Sequence, residues 1–224
     1  MGIVIGFVAA YPVFEVMSSR QPALRLPGQA AAAPQGSQGT AQPAGGGAAG
    51  GPAMAEVERL RKRVEANPDD ADALLELARL NLSINDLIRA RDLYERYLKL
   101  RPEDRNSLLT LANLHFDTRQ FDKARDLYQN FLIQEPDRPE VLTDLGTCYR
   151  NLGDSARALE LFRKALSINP NLPQAVFNEV VVLALDQKDY SAATTRFAKL
   201  KELEPGNPNV EALGREIERL RGAP

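Results

Sequence analysis

His115 and Cys148 are the only histidine and the only cysteine in the chain. A thiol beside an imidazole can become a nucleophile, because the ring takes the proton and a thiolate remains. That chemistry also needs a group to orient the ring and a pocket for the substrate, and no such group accompanies the pair. A packed histidine and a packed thiol are the expected reading. The pair Asp69 and Asp70 reads as cap and turn residues. The basic run "RLRKR" at Arg59–Arg63 could touch anionic lipid or nucleic acid, but Glu65 follows it and a solvated helix face is expected. No cluster with metal-ligand spacing and no glycine-rich phosphate loop occurs. The reading is of no enzyme, no cofactor and no metal. A net charge of −2 over 224 residues also excludes a broad nucleic-acid binder, which needs excess Lys and Arg. One cysteine excludes an intrachain disulfide and leaves the redox compartment open.

The elements that carry these residues repeat. "ARDLY" occurs at Ala90–Tyr94 and again at Ala124–Tyr128, 34 residues later. Pro68, Pro102, Pro136 and Pro170 keep the same step, as do Leu77, Leu111 and Leu145. So do Ala78, Ala112 and Gly146; Ala90, Ala124 and Ala158; and Tyr94, Tyr128 and Phe162. A period in this range means stacked supersecondary units. Within one unit, Leu74, Leu77, Ala78 and Asn81 share one helical face, and Leu87, Ala90, Tyr94 and Leu98 share another. Each unit ends in Pro followed by Asp, Glu or Asn, which stops one helix and caps the next. The small columns are expected where the two helices approach, and the aromatic column between hairpins. One hairpin cannot bury both apolar faces, so the units must stack.

These columns resemble the tetratricopeptide repeat. The third unit carries its pattern almost in full as Leu142, Leu145, Gly146, Tyr149, Ala158, Phe162, Ala165 and Pro170. Asn81 and His115 stand where the family prefers an aromatic residue, and Tyr97 and Phe131 where it prefers Ala. The resemblance implies an all-α, right-handed α-solenoid of stacked helical hairpins. Four units are expected at about 71–104, 105–138, 139–172 and 173–205, after a half-repeat helix at 54–70 and before a capping helix at 206–221. The fourth unit closes at Pro205, a step of 35, so one residue is inserted, expected near Gln187 and Lys188, and Glu179 then falls where Leu belongs.

Such a stack offers a concave groove lined by the first helix of each unit. The lining residues are Leu75, Arg79 and Leu82; Leu109, Asn113 and Phe116; Thr143, Thr147 and Arg150; and Phe177, Val181 and Ala184. This set is apolar early and polar in the middle, and suits an extended peptide or an amphipathic helix of a partner protein. Some family members grip a terminal carboxylate with Lys or Arg and Asn. Asn113 matches one Asn position, but Glu140 and Asp144 stand where the cations belong and would repel it.

The repeats are tethered. "MGIVIGFVAAYPVFEVM" is apolar apart from Tyr11, Pro12 and Glu15 and reads as a single-pass membrane anchor, residues 1–19. As a cleaved signal peptide it would lack a basic start and a clean cleavage site. Gly2, Gly6 and Ala10 form a small-residue line through which two anchors could self-associate. Residues 20–53 are rich in Ala, Gly and Pro, and no charge lies between Leu26 and Ala55; this is a flexible linker with a relaxed span of about 30 Å. Arg20 and Arg25 after the apolar run favour a cytoplasmic repeat domain. The linker resembles those of bacterial envelope proteins with an exported domain, which favours the periplasm; both orientations stay open. The expected function is a membrane-tethered adaptor that binds a protein partner in its groove. The alternative is a structural subunit of an envelope complex, of the kind in cytochrome c maturation or secretion, acting through convex or terminal surfaces.

Overall fold

The computed structural model describes residues 52–222. The expected anchor, nearly all of the linker, and Gly2, Gly6 and Ala10 lie outside the described residues. Among the described residues are ten α-helices and no strand. Helix α1 (Pro52–Ala66) precedes four hairpins: α2 (Ala71–Ser83) with α3 (Leu87–Leu100), α4 (Arg105–Asp117) with α5 (Phe121–Gln134), α6 (Pro139–Asn151) with α7 (Ser155–Ile168), and α8 (Pro173–Val181) with α9 (Tyr190–Leu203). A π-helical turn, Val182–Asp186, extends α8, and α10 (Pro208–Arg221) closes the stack. Helices pack mainly on their neighbours in sequence, which is the one-dimensional logic of an α-solenoid.

Two devices start the inner helices. In the first two units an Asp caps: Asp70 accepts from the Ala73 amide at 3.0 Å, and Asp104 accepts from the Asn106 and Ser107 amides, each at 3.1 Å. In the third and fourth, Arg138 and Leu172 sit at the cap position without a side-chain cap, and Pro139 and Pro173 open the first turn instead. Proline there loses no hydrogen bond and presets the backbone. The outer helices α3, α7 and α9 are capped by Asp86, Asp154 and Asp189.

The turns inside the hairpins share one left-handed residue. Asn85, Arg119 and Gly153 have φ of 61°, 59° and 89°, and Lys188 has 58°. The step is 34 twice and then 35, so the inserted residue lies before Lys188. The π-helical turn holds it, since a π-turn accommodates one extra residue without breaking the helix. The insertion is therefore about one turn earlier than the sequence alone suggests, and it is absorbed in the helix, not in the loop.

The repeated columns build the core. Ala78, Ala112, Ala90, Ala124 and Ala158 are fully buried, with Tyr128 and Phe162 packed among them. Burying one such aromatic side chain contributes about 1.5–3 kcal/mol. The demand for a small residue at position 146 comes from the facing ring: a Cβ there would lie 2.5 Å from Cε1 of Phe162. The sequence reading set the small columns against each other, and the structure sets Gly146 against the aromatic column. The departures from the family pattern each find a partner. The Asn81 amide donates to the Leu77 carbonyl at 2.7 Å, and the Tyr97 hydroxyl donates to Asp104, the cap of α4, at 2.9 Å. Phe131 is buried beneath the Arg138 guanidinium, which stands 5.7 Å from the ring centre.

Candidate functional site: the inner helices

The twelve residues expected to line the groove fall on α2, α4, α6 and α8, with Ala184 in the π-turn. They divide by exposure. Leu75, Leu82, Leu109 and Asn113 are half-buried and Arg79 is exposed, all on the first two inner helices. Phe116 is buried and meets Phe121 and Tyr128 edge-to-face, at centroid distances of 5.6 and 6.4 Å. Thr143, Thr147, Phe177, Val181 and Ala184 are buried. The last three belong to the apolar cluster that runs from Leu108 to Ile217.

Several of the polar members are used internally. The Tyr128 hydroxyl donates to Asn113 Oδ1 at 2.9 Å, so Asn113 positions the core of its own hairpin. Thr143 and Thr147 donate back to the Pro139 and Thr143 carbonyls, at 2.8 and 3.0 Å. Thr147 also accepts from Asn178 Nδ2 at 3.1 Å, which ties α6 to α8. Arg150 grips Asp186 through Nε and Nη2, at 2.8 and 3.0 Å.

Sequence reasoning missed the roles of three polar residues that these helices depend on, having noted Glu179 only as a departure from the Leu column. Asp186 also accepts from Ser155 Oγ at 2.7 Å, so it joins both helices of the third unit to the π-turn of the fourth. Asn178 is buried in the bond just described. Glu179, in the Leu column, is 1 % exposed and lies between two arginines. Arg163 donates to its Oε1 at 3.2 Å; Arg196 Nε stands 3.0 Å from Oε2, close enough for charge attraction but not aligned for a hydrogen bond. The misplaced polarity of Glu179 was the available signal. Its partners lie 16 and 17 residues away, on helices that only the stacking brings together.

Cys148 is fully buried, and His115 Nε2 stands 3.2 Å from Glu95 Oε1. Burial pushes the His115 pKa below the ordinary imidazole value, with Lys123 and Arg91 adding to the effect and Glu95 opposing it. Among the described residues, no group of three or more His, Cys, Asp or Glu side chains could hold a metal ion. Among them, too, no helix is long and apolar enough to cross a membrane.

Family profiles match most of the described chain. Two profiles described as tetratricopeptide repeat match residues 53–105 and 85–143. A third, the cilia and flagella-associated protein 70 middle TPR-like domain, matches residues 117–217. No curated protein matches the chain. Among solved structures, MamA from Desulfovibrio magneticus is similar, with a TM-score of 0.61 and 18 % identity over 70 % of this chain and 89 % of that one. YrrB, described as a TPR protein with an unusual peptide-binding site, gives 0.54 and 21 % identity over 74 % and 93 %. A tetratricopeptide repeat protein from Parabacteroides merdae gives 0.60 and 19 % over 68 % and 60 %. At these identities the likeness is one of fold. Across residues 53–217 the chain is a tetratricopeptide-repeat protein.

Proposed function

We propose that this protein is a membrane-tethered adaptor whose repeats hold a peptide or amphipathic helix of a partner protein. The observation that carries the reading is the mixed surface on α2 and α4. Leu75, Leu82 and Leu109 keep part of their apolar surface in solvent beside Arg79 and Asn113. Apolar anchors at helical spacing with a few polar groups between them are what an amphipathic ligand meets. The peptide-binding site named for YrrB supports the same use of the fold. In this reading the apolar residues 1–19 anchor the chain, the linker sets the reach of the groove, and the repeats face the periplasm.

Affinity capture from detergent-solubilised native membranes tests this. Leu75→Ala/Leu109→Ala touches half-buried residues of that surface, whereas Phe116 is buried in the core and Asn113 holds the Tyr128 hydroxyl. A partner captured about tenfold less well by a variant that melts like wild type supports the groove, since hot-spot truncations cost about 1–2 kcal/mol or more. Equal capture by both chains removes the groove as the binding site.

A second reading rests on the outer helices. Ile88, Ile133 and Ile168, on α3, α5 and α7, are 61 %, 80 % and 39 % exposed. Exposed apolar side chains on successive outer helices favour a structural subunit that docks by its convex face. Here Ile133→Asp, not the leucine pair, removes the captured protein.

A further inference from the structure

Among the described residues the buried apolar side chains form two clusters. One runs from Val57 on α1 to Leu114 on α4, and the other from Leu108 on α4 to Ile217 on α10. Helix α4 belongs to both. Leu111 and Leu114 join the first cluster, and Leu108, Ala112 and Phe116 join the second. The seam between the clusters therefore runs along α4, with the half-buried Leu98 and Leu127 packed against both. Blocks joined by few buried apolar contacts can open one without the other. His115 sits on this seam, between Leu114 and Phe116 in sequence, and is 2 % exposed. Its Nε2 stands 3.2 Å from Glu95 Oε1 on α3, across the boundary between the first and second units. The same relationship recurs 34 residues on, where Gln129 Nε2 donates to the Tyr149 hydroxyl at 2.7 Å. That contact involves a member of the second cluster. At the seam the contact between units is made by an imidazole, whose charge changes near neutral pH.

We propose that His115 is an acid-sensitive latch: its protonation releases α1–α3 as one block, leaves the later repeats folded, and so takes apart the surface on α2 and α4. The latch rests on the reading of that surface as the binding site and supplies its regulation. Leu75 and Leu82 pack against the first cluster and Leu109 against the second, so the surface is complete while the seam is closed. A proton on a buried imidazole needs a nearby anion to offset the lost hydration. Glu95 is the anion at hand, but its side chain is 39 % exposed and water weakens its pull. Arg91 on α3 and Lys123 on α5 bring positive charge to the same place. Burial, with these two cations, holds His115 below the ordinary imidazole range against the opposing effects of Glu95 and Gln120. When α3 leaves α4 the ring meets water and recovers a pKa of about 6.5. The open form then binds the proton more tightly, so acid favours opening. The closed seam keeps its full stability above about pH 6.5 and loses it as pH falls toward the folded pKa. A single proton limits the change to about tenfold per pH unit.

Hydrogen exchange of the full chain in detergent tests this, with protection compared at pH 7.5 and 5.5 after correction for intrinsic amide exchange. Release of the latch predicts that protection across residues 52–100 falls several-fold, and at most about tenfold, at pH 5.5. Protection across residues 139–203 is expected to hold. Asp70 and Asp104, which cap α2 and α4, are held below the ordinary carboxylate range, so neither titrates in this window. His115→Gln keeps a neutral polar side chain at the seam and is expected to give equal protection at both pH values. Equal falls across 52–100 and 139–203 overturn the separate block. A fall of the same size in His115→Gln, or no fall in the wild type, overturns the latch. A second measurement does not depend on how that variant folds. The chain has a single histidine, so its ring C–H resonance is unambiguous. A midpoint for the folded chain at or above about pH 6.5 also overturns the latch. No ligand enters either experiment, so their failure leaves the adaptor reading to be judged by capture with the Leu75 and Leu109 variant. Equal capture there removes the binding site and leaves the latch measurements intact.

Discussion

Arg150 on α6 holds Asp186 at the end of the π-turn through two donors, at 2.8 and 3.0 Å, and 36 residues separate them. The pair is mostly shielded, with side chains 17 % and 22 % exposed, so water screens it less than an exposed pair. It fixes the fourth unit against the third just where the inserted residue disturbs the period. A double-mutant cycle with Arg150→Ala and Asp186→Ala is expected to give a coupling of about 1 kcal/mol from urea melts. Additive losses would show that the π-turn is held by packing alone.

Gly146 is set by Phe162. The Cβ of Gly146→Ala would meet the ring at 2.5 Å, and the ring is fully buried, so it has nowhere to swing. Overpacking of this kind costs about 1–3 kcal/mol. Gly146→Ala is therefore expected to lower the melting temperature, and adding Phe162→Leu to recover part of the loss. An unchanged melt for Gly146→Ala would show that the hairpin opens without strain.

Glu179 tests what the two arginines do. Removing both Arg163 and Arg196 leaves a buried carboxylate without its cations, a change that costs about 3–5 kcal/mol in comparable pairs. Glu179→Leu restores the family's residue, and its expected effect is neutral or stabilising, because a well-packed apolar group avoids desolvating a charge. Urea melts of the three chains order them. If Glu179→Leu is the least stable, the triad stabilises the fold outright.

His115 gives the fold a pH dependence. Its folded pKa lies below the unfolded value, so the unfolded chain binds the extra proton first. Stability from this group is complete above about pH 6.5 and is lost as pH falls below that toward the folded pKa. Melting temperatures measured from pH 7.5 to 5 should fall, and His115→Gln should flatten the slope. The same slope in both chains would assign it to other groups.

Much of the fold was legible before any coordinates. Pro68, Pro102, Pro136 and Pro170, with the Leu, small and aromatic columns between them, are local consequences of helix ends and close approach. They repeat because each unit solves the same packing problem, so periodicity alone determines an all-α solenoid. The groove helices follow from that register, and with them the positions of Leu75, Arg79 and Leu109. Tertiary structure decided how each position is used. Asn113 and Arg150 carry polar groups suited to a ligand, yet one supports Tyr128 and the other Asp186. Those partners lie 15 and 36 residues away, on helices whose rotation the columns do not specify. Likewise a step of 35 reveals an insertion but not whether helix or loop absorbs it. That depends on which neighbouring carbonyls are free to accept a widened turn, and only the packed structure sets this.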